Sequence, residues 1–448
     1  MLDWIDNRLG AASWARAGLR KIFPDHWSFL LGEVALFCFI ILILTGVFLT
    51  LFYVPDATGV TYAGSYAPLQ GQVVSRAYQS VLDLSFEVQA GLVMRQVHHW
   101  AALVFMAAIV CHILRVFLTG AFRRPREINW LIGIGLLVLA LAMGITGYSL
   151  PDDLLSGTGL RVIYSAVISV PFIGPYLAFL IFGGEFPTET IISRLFVFHV
   201  MLLPALLIGG VFTHLAIVWR QVHTNFAQPG ASDRQVVGRP FWPSQVFKST
   251  GLMILTAAVL ALMGGLVQVN PIWAYGPFDA TMVSAPAQPD WYVGWLDGAL
   301  RLFPPIEVTI LGITIPTVFI PGVVVPGIAF TIMTLWPFIE PWLSGDRAEH
   351  HVLDRPRDYP FRTAVGIAGL LFFVMLTLAG GNDVIALVFN VPLELMTDVL
   401  RIALFVVPLL GFGVTYRLCV ELQRRTDAPR SRIVRLRRTA DGGFEEVD

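Results

Sequence analysis

The sequence predicts an all-α, polytopic membrane protein with eight transmembrane helices, and three observations lead there. Its 448 residues are 56% hydrophobic and only 14% charged, against the roughly half-apolar, quarter-charged make-up of soluble domains. Apolar stretches near the ~20 residues that cross a ~30 Å hydrocarbon core recur at 29–53, 95–118, 130–149, 196–220, 249–269, 316–336, 362–381 and 397–418. Basic residues gather in alternate connections between these stretches, which we number spans 1 to 8. With a mean hydropathy of +0.71, the solvent of this chain is the bilayer.

The charge pattern orients the spans. Arg8, Arg16, Arg20 and Lys21 precede span 1, Arg123, Arg124 and Arg126 follow span 2, Arg234, Arg239 and Lys248 follow span 4, and Arg347, Arg355 and Arg357 follow span 6. The other connections are longer yet hold only Arg76, Arg161, Arg194 and Arg301. The positive-inside rule places the first set, and both termini, in the cytoplasm. The amphipathic start shows no signal peptide, and the tail 426–448 reads as a polar cytoplasmic end. The net charge of −1 gives no reason to expect a nucleic-acid partner. Cys38, Cys111 and Cys419 show no CxxC spacing, so neither a disulfide framework nor a thiolate metal site is expected; Cys38 and Cys111 read as packed apolar residues.

Histidine inside a membrane span is costly and usually functional. His98 and His112 lie 14 residues apart in span 2, and His199 and His214 lie 15 apart in span 4. At 1.5 Å and 100° per residue, each pair covers about 21–22 Å along its helix and lies within about 40–60° of one face. Spans 2 and 4 run in the same direction, so His98 meets His199 near the outer surface and His112 meets His214 near the inner one. Two bis-histidine sites in a helical bundle suit haem iron; zinc, with two imidazoles per site, would lack its tetrahedral set. His99 points to another side of the helix and reads as a bystander. Gly32 and Gly46 in span 1, and Gly133 and Gly147 in span 3, repeat the 14-residue interval, where glycine would let a flat macrocycle approach the backbone. Arg95, Arg115 and Arg194 lie three to five residues from a ligand histidine, where guanidinium forks can meet propionates.

These residues carry a resemblance. Arg95-Gln-Val-His98-His99-Trp100, His112-Ile-Leu-Arg115, Gly147-Tyr-Ser-Leu-Pro151, Arg194-Leu-Phe-Val-Phe-His199 and Pro289-Asp-Trp-Tyr292 resemble, in order and spacing, cytochrome b of the bc1 and b6f complexes. The 15-residue spacing and Gly-Tyr-Ser-Leu-Pro look like cytochrome b6; the fused back half and His26-Trp-Ser-Phe-Leu-Leu-Gly-Glu33 look like the actinobacterial, menaquinol-oxidising type. The resemblance implies a cytochrome b subunit of a respiratory quinol:cytochrome c oxidoreductase in the bacterial plasma membrane. Two non-covalent b haems are implied, low-potential at His98/His199 and high-potential at His112/His214, with proton translocation, a Rieske iron-sulfur partner, a cytochrome c subunit, a terminal oxidase and a homodimer. It assigns Asp290, Tyr292, Tyr148 and Gly159 to an outer quinol site and His223 to an inner quinone site, and sets Trp130 near the inner propionates. Asp290 stands where the family more often has glutamate, Ser249 where it has an inner-site aspartate, and Leu30 where a b6f-type protein attaches a further haem covalently.

The domain organisation expected is a di-haem four-helix domain at 1–225 and a four-helix domain at 226–425 that completes the outer site, joined across a polar seam with Pro229, Gly230, Gly238, Pro240 and Pro243. His350 and His351 are expected to be solvated. Two other functions share the histidines: a proton-relaying transporter without haem, and a di-haem anchor subunit of another dehydrogenase or reductase.

Overall fold

A computed structural model describes residues 2–427 except 222, 229, 283–287 and 311, together with the tail strands Arg435–Arg438 and Phe444–Val447. Pro229 of the seam therefore lies outside the described residues. Helices make up 70% of the fold, and eight are long and apolar enough to span a membrane: Trp27–Thr50, Gly91–Leu118, Glu127–Tyr148, Thr190–Gln221, Phe241–Leu266, Ile320–Ser344, Pro360–Gly380 and Leu393–Arg425. The chain is an integral membrane protein. Spans 6 and 8 run through Pro337, Pro341 and Pro408, since neighbouring helices in a membrane compensate the hydrogen bond that proline removes. The tail strands pair antiparallel where a plain polar end was expected.

Span 1 packs on span 2 and span 3 on span 4, while span 5 lies against spans 1 and 2 and span 6 against span 3. The back of the chain thus covers the front bundle. Midway between the two histidine levels the bundle centre is filled by Phe39, Phe105, Met106, Leu137, Ala140 and Leu207.

The two faces differ. Connections after the odd spans carry helices, among them Arg76–Phe86, Leu154–Ile168, Gly174–Phe182, Trp291–Leu302 and Asn382–Phe389; we call this the long-loop face. On the short-loop face, a buried ion network ties two connections to spans 6 and 7. Arg362 in span 7 donates to Asp354 at 2.5 Å and to Glu340 of span 6 at 2.8 Å, and Arg123 donates to Asp354 at 2.6 Å. A Cβ at Gly120 would stand 2.6 Å from Asp354 and 2.8 Å from Arg362, and its φ of +66° is itself a glycine conformation. His350 and His351 belong to this fabric, contrary to the solvated role expected. His350 Nε2 lies 3.0 Å from Asp346, and Arg126 reaches His351 Nδ1 at 3.1 Å.

Breaking a buried ion pair from one side strands a charge and costs about 3–5 kcal/mol. Arg362→Ala leaves Glu340 without a cation and Asp354 with Arg123 alone, so its thermal unfolding midpoint in detergent is expected well below that of wild type; an unchanged midpoint would refute this role for the network.

Candidate functional site

The four expected ligands meet in the two expected pairs. The rings of His98 and His199 have centres 6.2 Å apart, and those of His112 and His214 6.5 Å. Two imidazoles bound on opposite sides of one metal ion by bonds of about 2 Å have ring centres about 6 Å apart, so both pairs fit iron held between them. Among the described residues no group of three or more His, Cys, Asp or Glu gathers as for a metal ion.

The unequal spacings, 14 and 15, are reconciled by the backbone. Over Phe198–Leu202 span 4 widens to a π-turn, which absorbs one extra residue without advancing the helical face. Each glycine faces one histidine. A Cβ at Gly46 would stand 3.3 Å from His98 Cε1, at Gly32 3.2 Å from His112, at Gly133 3.7 Å from His214, and at Gly147 inside contact distance of His199. The neighbour each glycine makes room for in the protein is the imidazole.

The outer pair is fixed by threonines that sequence reading passed over. Thr45 Oγ1 lies 2.9 Å from His98 Nδ1 and donates to Ile41 O at 2.7 Å; Thr146 Oγ1 lies 3.2 Å from His199 Nδ1 and donates to Ala142 O at 2.9 Å. With each hydroxyl proton given to a carbonyl, the hydroxyl accepts from Nδ1–H, leaving Nε2 as the free lone pair that a metal needs.

The guanidinium groups divide. Arg95 donates Nη1 to Asn270 O at 3.2 Å, while its buried Nε and Nη2 have no partner, as an anion-binding group would. Arg115 lies 4.0 Å above the Phe29 ring, with Nε 3.4 Å from Ser28 Oγ and Nη2 unpartnered. Arg194, expected to face a propionate, instead donates Nη1 to Phe179 O and Leu180 O at 3.1 and 2.8 Å; the open carbonyls ending helix Gly174–Phe182 claim it. Trp130, expected near propionates, gives its indole N–H to Met333 O at 2.7 Å. Cys38 is fully buried as expected, but Cys111 lies exposed on the bundle's outside.

One cavity of about 300 Å³ joins the outer histidine pair to the quinol-site candidates; Gly46, His98, His99, Tyr148, His199, Asp290 and Tyr292 line it. His99, read as a bystander, places Nε2 3.0 Å from both oxygens of Asp290. Tyr292 donates its hydroxyl to Asp290 Oδ2 at 3.2 Å, and Asn270 its amide to Oδ1 at 3.5 Å. Burial first, then the Asp290 carboxylate, holds the Tyr292 hydroxyl well above the usual tyrosine range. Gly144 in span 3 lets Tyr292 in, since a Cβ there would stand 2.5 Å from its hydroxyl; a Cβ at Gly159 would stand 3.4 Å from Tyr148. Gln96 and Trp100 of span 2 stitch Val269 and Val267 down, positioning the loop that carries Asn270.

On the short-loop face His223 stacks 4.5 Å from Phe23 and 6.3 Å from Phe29. Burial, then Arg115, Arg126 and Lys21, bring its pKa down to about 4. Ser249 donates to Glu33 Oε2 at 2.7 Å.

Comparisons with known proteins follow this geometry. A family model described as Cytochrome b(N-terminal)/b6/petB matches residues 103–277. The chain is 50% identical over 423 residues to the cytochrome bc1 complex cytochrome b subunit of Streptomyces coelicolor, covering 94% of this chain and 78% of that one. To the subunit of the same name from Mycobacterium tuberculosis it is 49% identical over 421 residues, covering 94% and 76%. A chain of a hyperthermophilic respiratory Complex III shares the fold, with TM-score 0.65 at 20% identity over 92% of this chain and 100% of that one.

The glycine contacts separate two variants. Gly147→Ala drives a methyl into His199 and is expected to halve the haem per chain; Gly133→Ala, whose methyl meets His214 at an ordinary 3.7 Å, is expected to keep it. Haem-to-protein ratios of the purified variants check this, and equal ratios would contradict it.

Proposed function

We propose that this chain, which belongs to the cytochrome b family of the bc1 complex, oxidises quinol on its long-loop face and reduces quinone on its short-loop face. Two non-covalent b haems would lie between, one held by His98 and His199 and the other by His112 and His214. The observation that carries this reading is the shared cavity, in which the outer histidine pair opens onto Asp290, Tyr292 and Tyr148. Family membership sets aside the transporter and the anchor subunit of another dehydrogenase.

Bound there, the haems supply one-electron transfer across the bilayer. The chain's own residues handle the protons. Asp290 accepts one from a quinol hydroxyl, and His99, Tyr292 and Asn270 hold the carboxylate in place beforehand, so that reaction needs no reorganisation. Tyr148, with room left by Gly159, walls the quinol against the outer pair, and Arg95 offers its unpartnered donors to a propionate. On the opposite face His223 and Arg115 border the quinone, and Phe23 and Phe29 offer their rings to its flat head.

The resemblance to the actinobacterial type, and relatives from Streptomyces and Mycobacterium, support menaquinol as substrate. Each quinol's other electron needs an acceptor on the long-loop face, for which the chain has no ligands, so a Rieske iron-sulfur partner supplies that branch, followed by a cytochrome c subunit and a terminal oxidase. The complex is then a quinol–cytochrome-c reductase, working as a homodimer, that releases protons outside and takes them up inside. The arginine-rich short-loop face supports cytoplasmic termini and long loops outside the plasma membrane. We divide the chain at 1–225, the di-haem domain, 226–425, the domain that completes the outer site with Asp290 and Tyr292, and the tail 426–448.

A reduced-minus-oxidised spectrum of the purified chain is expected to show two b haems with separate midpoint potentials; one haem or none would overturn the two-site reading. Asp290→Asn is expected to keep both haems while lowering quinol:cytochrome c reductase turnover by about 10²–10⁴-fold, the range for a lost general base. Undiminished turnover would remove Asp290 from the mechanism.

A further inference from the structure

The short-loop face holds a carboxylate with no role assigned above. Glu33 follows Gly32, the residue on which the His112 ring rests. Its Oε2 accepts from Ser249 at 2.7 Å and its Oε1 from Gln245 at 2.9 Å, and Gln245 also reaches Ser249 at 3.2 Å. Gln245 and Ser249 are one turn apart on span 5, which packs on span 1. One turn before Glu33, Phe29 meets His223 and Phe226 at 6.3 and 5.6 Å and lies under Arg115. Glu33 therefore shares a helix face with the ring that borders the quinone candidates.

Reducing a quinone to quinol takes two electrons and two protons. The basic groups around this pocket are poor proton donors. Arginine keeps its protons; His223, held down to about 4, is neutral at neutral pH; and Lys248 is bonded to Asp25, which Arg239 also pairs at 2.6 Å. Glu33, by contrast, is held by a hydroxyl and an amide rather than by a cation.

We propose that Glu33 is a proton donor to the quinone reduced on the short-loop face, with Ser249 and Gln245 as its positioning residues. This rests on the quinone site proposed for that face. The two electrons would arrive singly, in two successive reductions, from the haem that the inner pair would hold. One proton leaves the Glu33 carboxyl, its O–H bond breaking as an O–H bond forms on the nearer quinone oxygen. The second reaches the other oxygen from water on the same face, and water then reprotonates Glu33.

The test uses the whole complex carrying Glu33→Gln, Glu33→Asp, or Glu33→Gln with Ser249→Asp, each with wild-type haem content. The inner haem is reduced, the outer site is blocked, and reoxidation by added quinone is followed. Glu33→Gln is expected to slow reoxidation by about 10²-fold or more. Glu33→Asp, and the double variant that returns a carboxylate 2.7 Å away, are expected to restore most of it. The pH profile of the wild-type rate should lose one limb in Glu33→Gln while His26, His223, Asp25, Lys248, Arg239 and Arg115 stay unchanged. Redox-difference infrared spectra should show a carboxyl C=O band in wild type that Glu33→Gln lacks. A merely structural Glu33 would let the isosteric Glu33→Gln reoxidise at the wild-type rate, and that result overturns the proposal. If quinone fails to oxidise the inner haem of the wild type, the quinone site falls and this inference with it.

Discussion

Everything in this fold is arranged around imidazole meeting imidazole across the centre of a bundle, twice, at two depths. A histidine pair 6.2–6.5 Å apart between ring centres can exist only if the neighbouring helices keep side chains out of the way at the same heights. Span 1 and span 3 each do so with two glycines on the same 14-residue interval as the histidines of span 2. Span 4 has one residue too many between its histidines and disposes of it in the π-turn at Phe198–Leu202. A helix rarely adopts that turn without cause, and here the cause is register: without it His199 and His214 would not face both partners.

The second constraint is the cost of burying polar groups where water is scarce. On the long-loop face it gathers His99, Asn270 and Tyr292 around one carboxylate, Asp290, and leaves Arg95 with buried donors to spare. On the short-loop face it produces the Arg123–Asp354–Arg362–Glu340 network, which clamps spans 6 and 7 to the connection after span 2. The covering back half is thereby fixed to the front bundle at both ends, and the loop bearing Asp290 is fixed with it.

The spans and the four histidines were legible in the sequence because hydropathy and helical period are local properties. The span ends were less so: span 6, read as 316–336, continues through Pro337 and Pro341 to Ser344, because neighbouring helices decide that. The site was legible as far as residue type and spacing reach. What escaped was every choice of partner. Nothing local in the sequence tells that Arg194 bonds the carbonyls ending helix Gly174–Phe182 or that the Trp130 indole bonds Met333 O. His99 looks idle because its partner Asp290 is 191 residues away. One local signal was available and overlooked, the Thr-Gly pairs at 45–46 and 146–147, absent at the inner level, where Leu31 and Ile132 precede the glycines.

That difference has an electronic consequence. At the outer level the threonine hydroxyls, their own protons given to backbone carbonyls, can only accept from His98 and His199, and a hydrogen bond accepted from Nδ1–H makes the imidazole a stronger donor through Nε2. Stronger donation stabilises the oxidised metal more than the reduced one and so lowers the reduction potential. At the inner level Leu31 and Ile132 offer no such acceptor. With haem held at both pairs as proposed, the threonines would bias the outer pair toward the lower potential, the direction that would let electrons from a quinol on the long-loop face run downhill toward the inner pair.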